Sequence, residues 1–258
     1  MATRFVERMC VEMDGQGEPA VMIHGLGGTS NTFTPVLARI STQMQVIRPD
    51  LPGSGRSPTS GRPSVEEMAD IVAKAVAAVG VGRANFVGHS LGAILAFHIA
   101  LRNPRLVKSL TLLGPLLAPT DVGRQGLRDR AAAARAQGMQ PIADSIVQNS
   151  TSGTTRRERP LAVAMIRETL MRQDAEGYAR NCEALAEAPP PDVSAIKCPA
   201  MLVTGDEDPI ATAGGMGSIA RRIAGSESRV IKSCGHWATF EQPEATTAAV
   251  EEFLAKRR

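Results

Sequence analysis

Aromatic residues are scarce in this chain. They make up 3% of its 258 residues: six Phe, one Tyr and one Trp. The core must therefore be built from Ala, Val, Ile, Leu and Met. Charge of one sign is also lacking. The formal net charge is +3, and the basic residues are spread along the chain rather than run together. That excludes the footprint of a nucleic-acid or membrane-surface binder. No stretch approaches the ~18 consecutive apolar residues of a membrane span. The start, MATRFVERMC, has neither an apolar h-region nor a cleavage pattern, so a soluble cytoplasmic protein is expected. Only four cysteines occur, Cys10, Cys182, Cys198 and Cys234, without metal-ligand spacing and too few for a disulfide scaffold. Free thiols are expected, with neither a metal site nor a cofactor site. Cys234 lies two residues before His236.

What is present is ordinary globular material: 43% hydrophobic and 21% charged residues. The length suits one large domain, or one domain carrying an insertion. Short apolar runs read as strands: roughly 4–13, then AVMIHG at 20–25, QVIRPD at 45–50, NFVGHS at 85–90 and LVKSLTLLG at 106–114. Helical stretches separate them, at 32–40, 65–79 and 91–101. The second has Ser64 and Glu67 as a capping box. The third is apolar nearly all round, as in a helix buried on both sides. This alternation predicts an α/β fold, a mostly parallel twisted sheet with helices on both faces. It stops after Gly114. Residues 115–195 read as helical, rich in Arg and Ala, and closed by Pro189-Pro190-Pro191. They are expected to form a helical cap, with 1–114 and 196–258 as the core domain. The alternation resumes with strand 200–205, a helix near 214–224, strand 228–233 and a last helix from about 243. Val250, Phe253 and Leu254 share one face of that helix, and Lys256-Arg257-Arg258 close it, where cations suit the helix dipole.

The most specific local signal is Gly88-His89-Ser90-Leu91-Gly92, a G-x-S-x-G string between a strand and a helix. That context is the one a nucleophile elbow requires. The turn leaves no room for Cβ atoms at 88 and 92 and lifts the Ser90 hydroxyl above the sheet. A serine hydroxyl needs a base. The chain has four histidines. His89 adjoins Ser90 and should point elsewhere, His98 is two turns down a buried helix, and His24 starts a loop it is expected to brace. Elimination leaves His236, after the last strand and on the elbow's side of the sheet. The imidazole needs a carboxylate, and the chain order Ser, acid, His makes Asp206 and Asp208 the candidates. Asp208 is favoured, since Pro209 holds it extended and the extra residues carry it out over the sheet edge; Asp206 is then expected to cap either the loop or the next helix. For a developing oxyanion, the N–H groups of Leu91 and of Leu26 in HGLGG are the expected donors, with Gly27 as the fallback. DLPGSGRS at 50–57 lacks the third glycine and the Lys-Ser/Thr pair of a phosphate loop and reads as a structural loop flanking the site.

HGLGG, DLPGSGRS, GHSLG, TGDEDPI and GHW, in that order over nearly the whole chain, resemble the α/β-hydrolase superfamily. The stretches 128–147 and 161–188 are similar to the cap of bacterial 3-oxoadipate enol-lactonases and related carboxylesterases. The resemblance implies a cofactor-independent Ser-His-Asp hydrolase acting on a small-molecule ester or lactone. Ser90 matches its nucleophile, Asp208 its acid and His236 its base. His24, Gly25, Gly27, Phe33, His89 and Trp237 are expected around the substrate pocket. Leu91-Gly92-Ala93 and Phe33 depart from the Ser-Met-Gly and Trp of those lactonases and bear on which substrate is taken. Arg124, Arg128 and Arg135 of the cap are read either as a solvated helix face or as partners for a substrate carboxylate. Rival readings are a C–C bond hydrolase or perhydrolase on the same triad, and a ligand receptor that keeps the triad. The oligomeric state is not legible.

Overall fold

A computed structural model describes residues 2–59 and 61–256. Among these, eight strands form one sheet in the order β1-β2-β4-β3-β5-β6-β7-β8. The strands are β1 (Ala2–Val6), β2 (Met9–Asp14), β3 (Glu18–Ile23), β4 (Met44–Pro49), β5 (Ala84–His89), β6 (Val107–Leu113), β7 (Ala200–Gly205) and β8 (Glu227–Ile231). The β1–β2 and β2–β4 pairs are antiparallel; the other five are parallel.

The single first strand expected over 4–13 is instead a hairpin. Val6 pairs with Met9 across Glu7 and Arg8, which take φ of 49° and 62°. Two consecutive positive-φ residues make a tight hairpin turn normally signalled by Asn or Gly.

The helices of the core are α1 (Thr34–Ile40), α2 (Val65–Ala78) and α3 (Leu91–Arg102). Between β6 and β7 come five more: α4 (Asp121–Gln137), α5 (Gln140–Ser150), α6 (Gly153–Glu158), α7 (Pro160–Met171) and α8 (Ala175–Glu187). No strand lies in that stretch. After β7 follow α9 (Ala213–Ala220), α10 (Ala238–Glu241) and α11 (Pro243–Ala255). The expected capping box starts α2, with Ser64 and Glu67 each bonding the other's backbone. Lys256 caps α11; Arg257 and Arg258 lie outside the described residues.

Alternation along the strands explains why both faces are covered. In β3, Val21 and Ile23 join the cluster with Met68 and Val72 of α2 and Ile94 and Phe97 of α3. Ala20 and Met22 join the opposite cluster, with Val36 of α1 and Val250 and Phe253 of α11. A third cluster joins Val147 of α5 and Ile166 and Leu170 of α7 to Trp237 and Phe240. It seats the β6–β7 helices on the loop that follows β8. Among the described residues no helix is long and apolar enough to cross a membrane.

Candidate active site

The site begins where β5 ends. Ser90 has φ 53° and ψ −114°, a backbone conformation that L-residues rarely take and that costs about 1–3 kcal/mol. The surrounding structure enforces it. A Cβ at Gly92 would lie 2.0 Å from the carbonyl oxygen of Ile23, and one at Gly88 would lie 2.4 Å from that of Gly92. The Ser90 N–H donates to Leu113 O at 2.9 Å, tying the elbow to β6.

His236 follows β8, and Asp208 follows β7. Both are buried at 5% exposure, and Ser90 at 9%. His236 Nε2 is 2.8 Å from Ser90 Oγ, and His236 Nδ1 is 2.8 Å from Asp208 Oδ2. An ionised carboxylate only accepts, so Nδ1 carries the ring proton and Nε2 accepts from the serine hydroxyl. Asp208 Oδ1 accepts from the N–H groups of Ile210 (2.8 Å) and Ala211 (2.9 Å). Burial works against its charge, but His236 and those two N–H groups outweigh it and hold the carboxyl down at about 2. Asp206 does not reach the imidazole. Its Oδ1 accepts from the Cys234 N–H at 3.3 Å, which braces the loop, while the next helix is capped by Thr212 instead.

The N–H groups of Leu26 and Leu91 have no hydrogen-bond partner among the described residues. Leu91 is the first residue of α3, where no preceding helical carbonyl is available. A cavity of about 580 Å³ opens over Ser90. Its lining includes Leu26, His236 and Trp237, together with Leu116, Leu127, Ile146, Leu185 and Ile210. The volume suits a small organic ligand.

Of the residues expected around the pocket, Trp237 lines this cavity, and its indole N–H donates to Ser150 Oγ at 3.0 Å. The others do not. Phe33 is fully buried in the opposite face of the sheet with Met22 and Val36, because the turn before α1 directs it inward. His24 is fully buried; its Nδ1–H donates to Gly25 O and its Nε2 accepts from the Leu51 N–H, so the ring braces the loop. Gly25 lies behind the elbow, where a Cβ would meet His89 Nδ1 at 2.9 Å. Gly27, with φ 74°, passes under Tyr178 and Leu170. The three arginines also lie outside the lining. Arg124 donates to the carbonyls of Ala186 and Ala188, Arg135 pairs with Glu176 and Glu183, and Arg128 borders a different cavity. His98 sits far along α3, beside Glu66, Asp70 and Arg102.

His89 is also out of the cavity. Its Nε2–H donates to the carbonyl of His236 at 2.8 Å, linking the elbow to the histidine loop. Burial, with help from the neighbouring His236, pulls its pKa from 6.5 down to about 3. Unfolded, it takes up a proton near 6.5; folded, only near 3. Its contribution to stability is full above pH 6.5 and is lost as pH falls through that window. Urea denaturation is expected to find the protein about 2 kcal/mol less stable at pH 5 than at pH 8 from this group alone. Burial lowers His24 and His98 too and adds to the trend. His89→Gln, which keeps a donor for His236 O, should flatten the slope by close to one proton.

Sequence reasoning passed over Glu241. Its side chain is completely buried and accepts four hydrogen bonds. Oε2 takes the N–H of Ser152 (2.7 Å), the hydroxyl of Thr155 (2.9 Å) and the N–H of Gly235 (3.0 Å), while Oε1 takes the N–H of Trp237 (2.9 Å). The N–H of His236 itself donates to Ser150 O at 2.7 Å. Every amide from 235 to 237 is thereby fixed, and the histidine loop is tied to the segment joining α5 and α6. In the sequence Glu241 is only an acid five residues after His236.

The chain resembles known proteins over nearly its whole length. Over 247 residues the chain is 27% identical to (E)-2-((N-methylformamido)methylene)succinate hydrolase of Acinetobacter baylyi, covering 93% of this chain and 91% of that protein. Among solved structures, a thermophilic esterase from Thermogutta terrifontis superposes with a TM-score of 0.92 at 28% identity, covering 96% of this chain and 93% of that one. The enol-lactonase of Burkholderia xenovorans does so with a TM-score of 0.91 at 27% identity, over 98% and 100%. Residues 19–243 match the model of the alpha/beta hydrolase fold, and the chain belongs to the α/β-hydrolase family.

Proposed function

We propose that the protein hydrolyses a small carboxylic ester or lactone through an acyl-enzyme on Ser90. One observation carries the reading: Ser90 Oγ, His236 and Asp208 stand in a continuous relay with both contacts at 2.8 Å, at the edge of an apolar cavity. His236 Nε2 takes the proton as Ser90 Oγ attacks the carbonyl carbon, and Asp208 holds the imidazolium. The N–H groups of Leu26 and Leu91 receive the oxyanion; each contributes about 3–4 kcal/mol to such a step. His236 then protonates the leaving oxygen. Water, activated by the same ring, releases the acid and restores Ser90. With a lactone, the departing oxygen stays tethered to the acyl group until that second attack.

Helices α4–α8 act as a cap, since α4, α5 and α8 all contribute to the lining. The solved structures named as an esterase and an enol-lactonase support this choice of bond. Four free thiols support a reducing, cytoplasmic setting. A fluorophosphonate is expected to add once per chain, at Ser90, and to remove hydrolysis of p-nitrophenyl acetate in proportion to labelling. Mass spectrometry locates the adduct. Labelling elsewhere, or full hydrolysis after complete labelling, overturns the reading.

A further inference from the structure

Arg130 of α4 lines the cavity over Ser90. Apart from His236 it is the only side chain of the lining that can carry charge; no Asp, Glu or Lys belongs to it. The rest of the lining is largely apolar, with Leu26, Leu116, Leu127, Ile146 and Leu185, and its other polar members, such as Ser145 and Asn149, are neutral. Most other cap arginines have a carboxylate partner, as Arg135, Arg167, Arg172 and Arg180 do. Arg130 has none among the described residues. Its one contact is a long donation, 3.5 Å, from Nη1 to the hydroxyl of Tyr178. A guanidinium has five N–H donors in a planar fork, so most of its capacity faces the cavity or water.

Tyr178, the hydrogen-bond partner of that cation, is itself held in place. Its ring is buried at 1% exposure and lies over Gly27, where a Cβ would come within 3.1 Å of Cε2. Gly27 adjoins Leu26, whose N–H is free. One buried ring thus stands between the cation and the loop that would receive the oxyanion.

Resting on the hydrolase reading above, we infer that Arg130 is the specificity-determining cation of the cavity, and that the ester or lactone carries a carboxylate remote from the reacting carbonyl. A neutral substrate would cover the guanidinium without replacing its water. A carboxylate answers the fork with two parallel bonds. The apolar walls hold the chain between the two ends.

The test compares p-nitrophenyl valerate with mono-p-nitrophenyl glutarate, which ends in a free carboxylate. The wild type should favour the glutarate half-ester at least tenfold in kcat/KM. Arg130→Gln should lose roughly 10–100-fold on the half-ester, mainly through KM, and stay within about twofold on valerate. Arg130→Lys should recover part of the loss, since charge remains but the fork does not. Equal losses on both esters would make Arg130 a structural residue and overturn the inference, as would a wild type without preference. Binding is read separately, by calorimetry of monomethyl glutarate on Ser90→Ala, where no turnover is needed. Binding weakened at least tenfold by adding Arg130→Gln supports the inference, and binding unchanged by it, or absent before it, overturns it. If labelling of Ser90 fails while this binding holds, the hydrolase reading falls and the carboxylate site stands.

Discussion

Asp208→Asn is expected to lower kcat about 10⁴-fold, while Asp206→Asn changes it less than about threefold. The hydrogen bonds around Asp208 dictate this. Oδ1 accepts two backbone N–H groups, those of Ile210 and Ala211. An amide at 208 must keep its oxygen there, because its NH₂ group would confront both donors. The NH₂ is then turned toward His236 Nδ1, where Oδ2 now stands at 2.8 Å. To receive it, Nδ1 must give up its proton, and the proton moves to Nε2. Nε2 faces Ser90 Oγ at 2.8 Å and can no longer accept from it. The variant would keep its fold and its geometry and lose its base. Asp206 meets only the Cys234 N–H and, at 3.5 Å, Lys232, so its amide has no such consequence. Steady-state rates on p-nitrophenyl acetate decide between the two. Inactivation by Asp206→Asn with an active Asp208→Asn would reassign the acid.

The contrast between those two aspartates also marks what a sequence can carry. Ser90, His236 and Asp208 were legible because each sits at a strand end, and strands with the elbow glycines show themselves in local pattern. The parallel order then brings the ends of β5, β7 and the loop after β8 to one edge. His24 and His89 were placed around the pocket because they adjoin its loops in sequence, and Phe33 because it stands where the lactonases have a Trp. Which way a loop side chain turns depends on the far side of the sheet, and local pattern holds no record of that. The β1–β2 hairpin was invisible for a related reason. Glu7 and Arg8 take a turn conformation that their side chains disfavour, and strand pairing imposes it. Arg130 looked like any other arginine of α4; only the position of Tyr178 and the lining of the cavity separate it from Arg124 and Arg135.

Glu241 lies furthest beyond local pattern, and its replacement should have the largest effect on stability. Its four donors come from two segments about 85 residues apart in the chain, Ser152 and Thr155 on one side, Gly235 and Trp237 on the other. Glu241→Ala leaves all four buried donors without an acceptor. At about 1–3 kcal/mol per stranded group, a total loss of roughly 4 kcal/mol or more is expected, a large part of a typical domain's stability. Glu241→Gln should be milder. Its oxygen can remain at the Oε2 position and keep three donors, so only the Trp237 N–H is opposed by the new NH₂, and the loss should be about 1–3 kcal/mol. Urea unfolding midpoints should therefore fall in the order wild type, Gln, Ala. Because the lost bonds flank His236, the Gln variant should also lose kcat more than it gains KM while still binding ligand. Equal midpoints for all three proteins would mean that the histidine loop and the cap segment hold together without this carboxylate. The bonds to Ser150, from the His236 N–H and the Trp237 indole, would then be the clamp that keeps the base in line with Ser90.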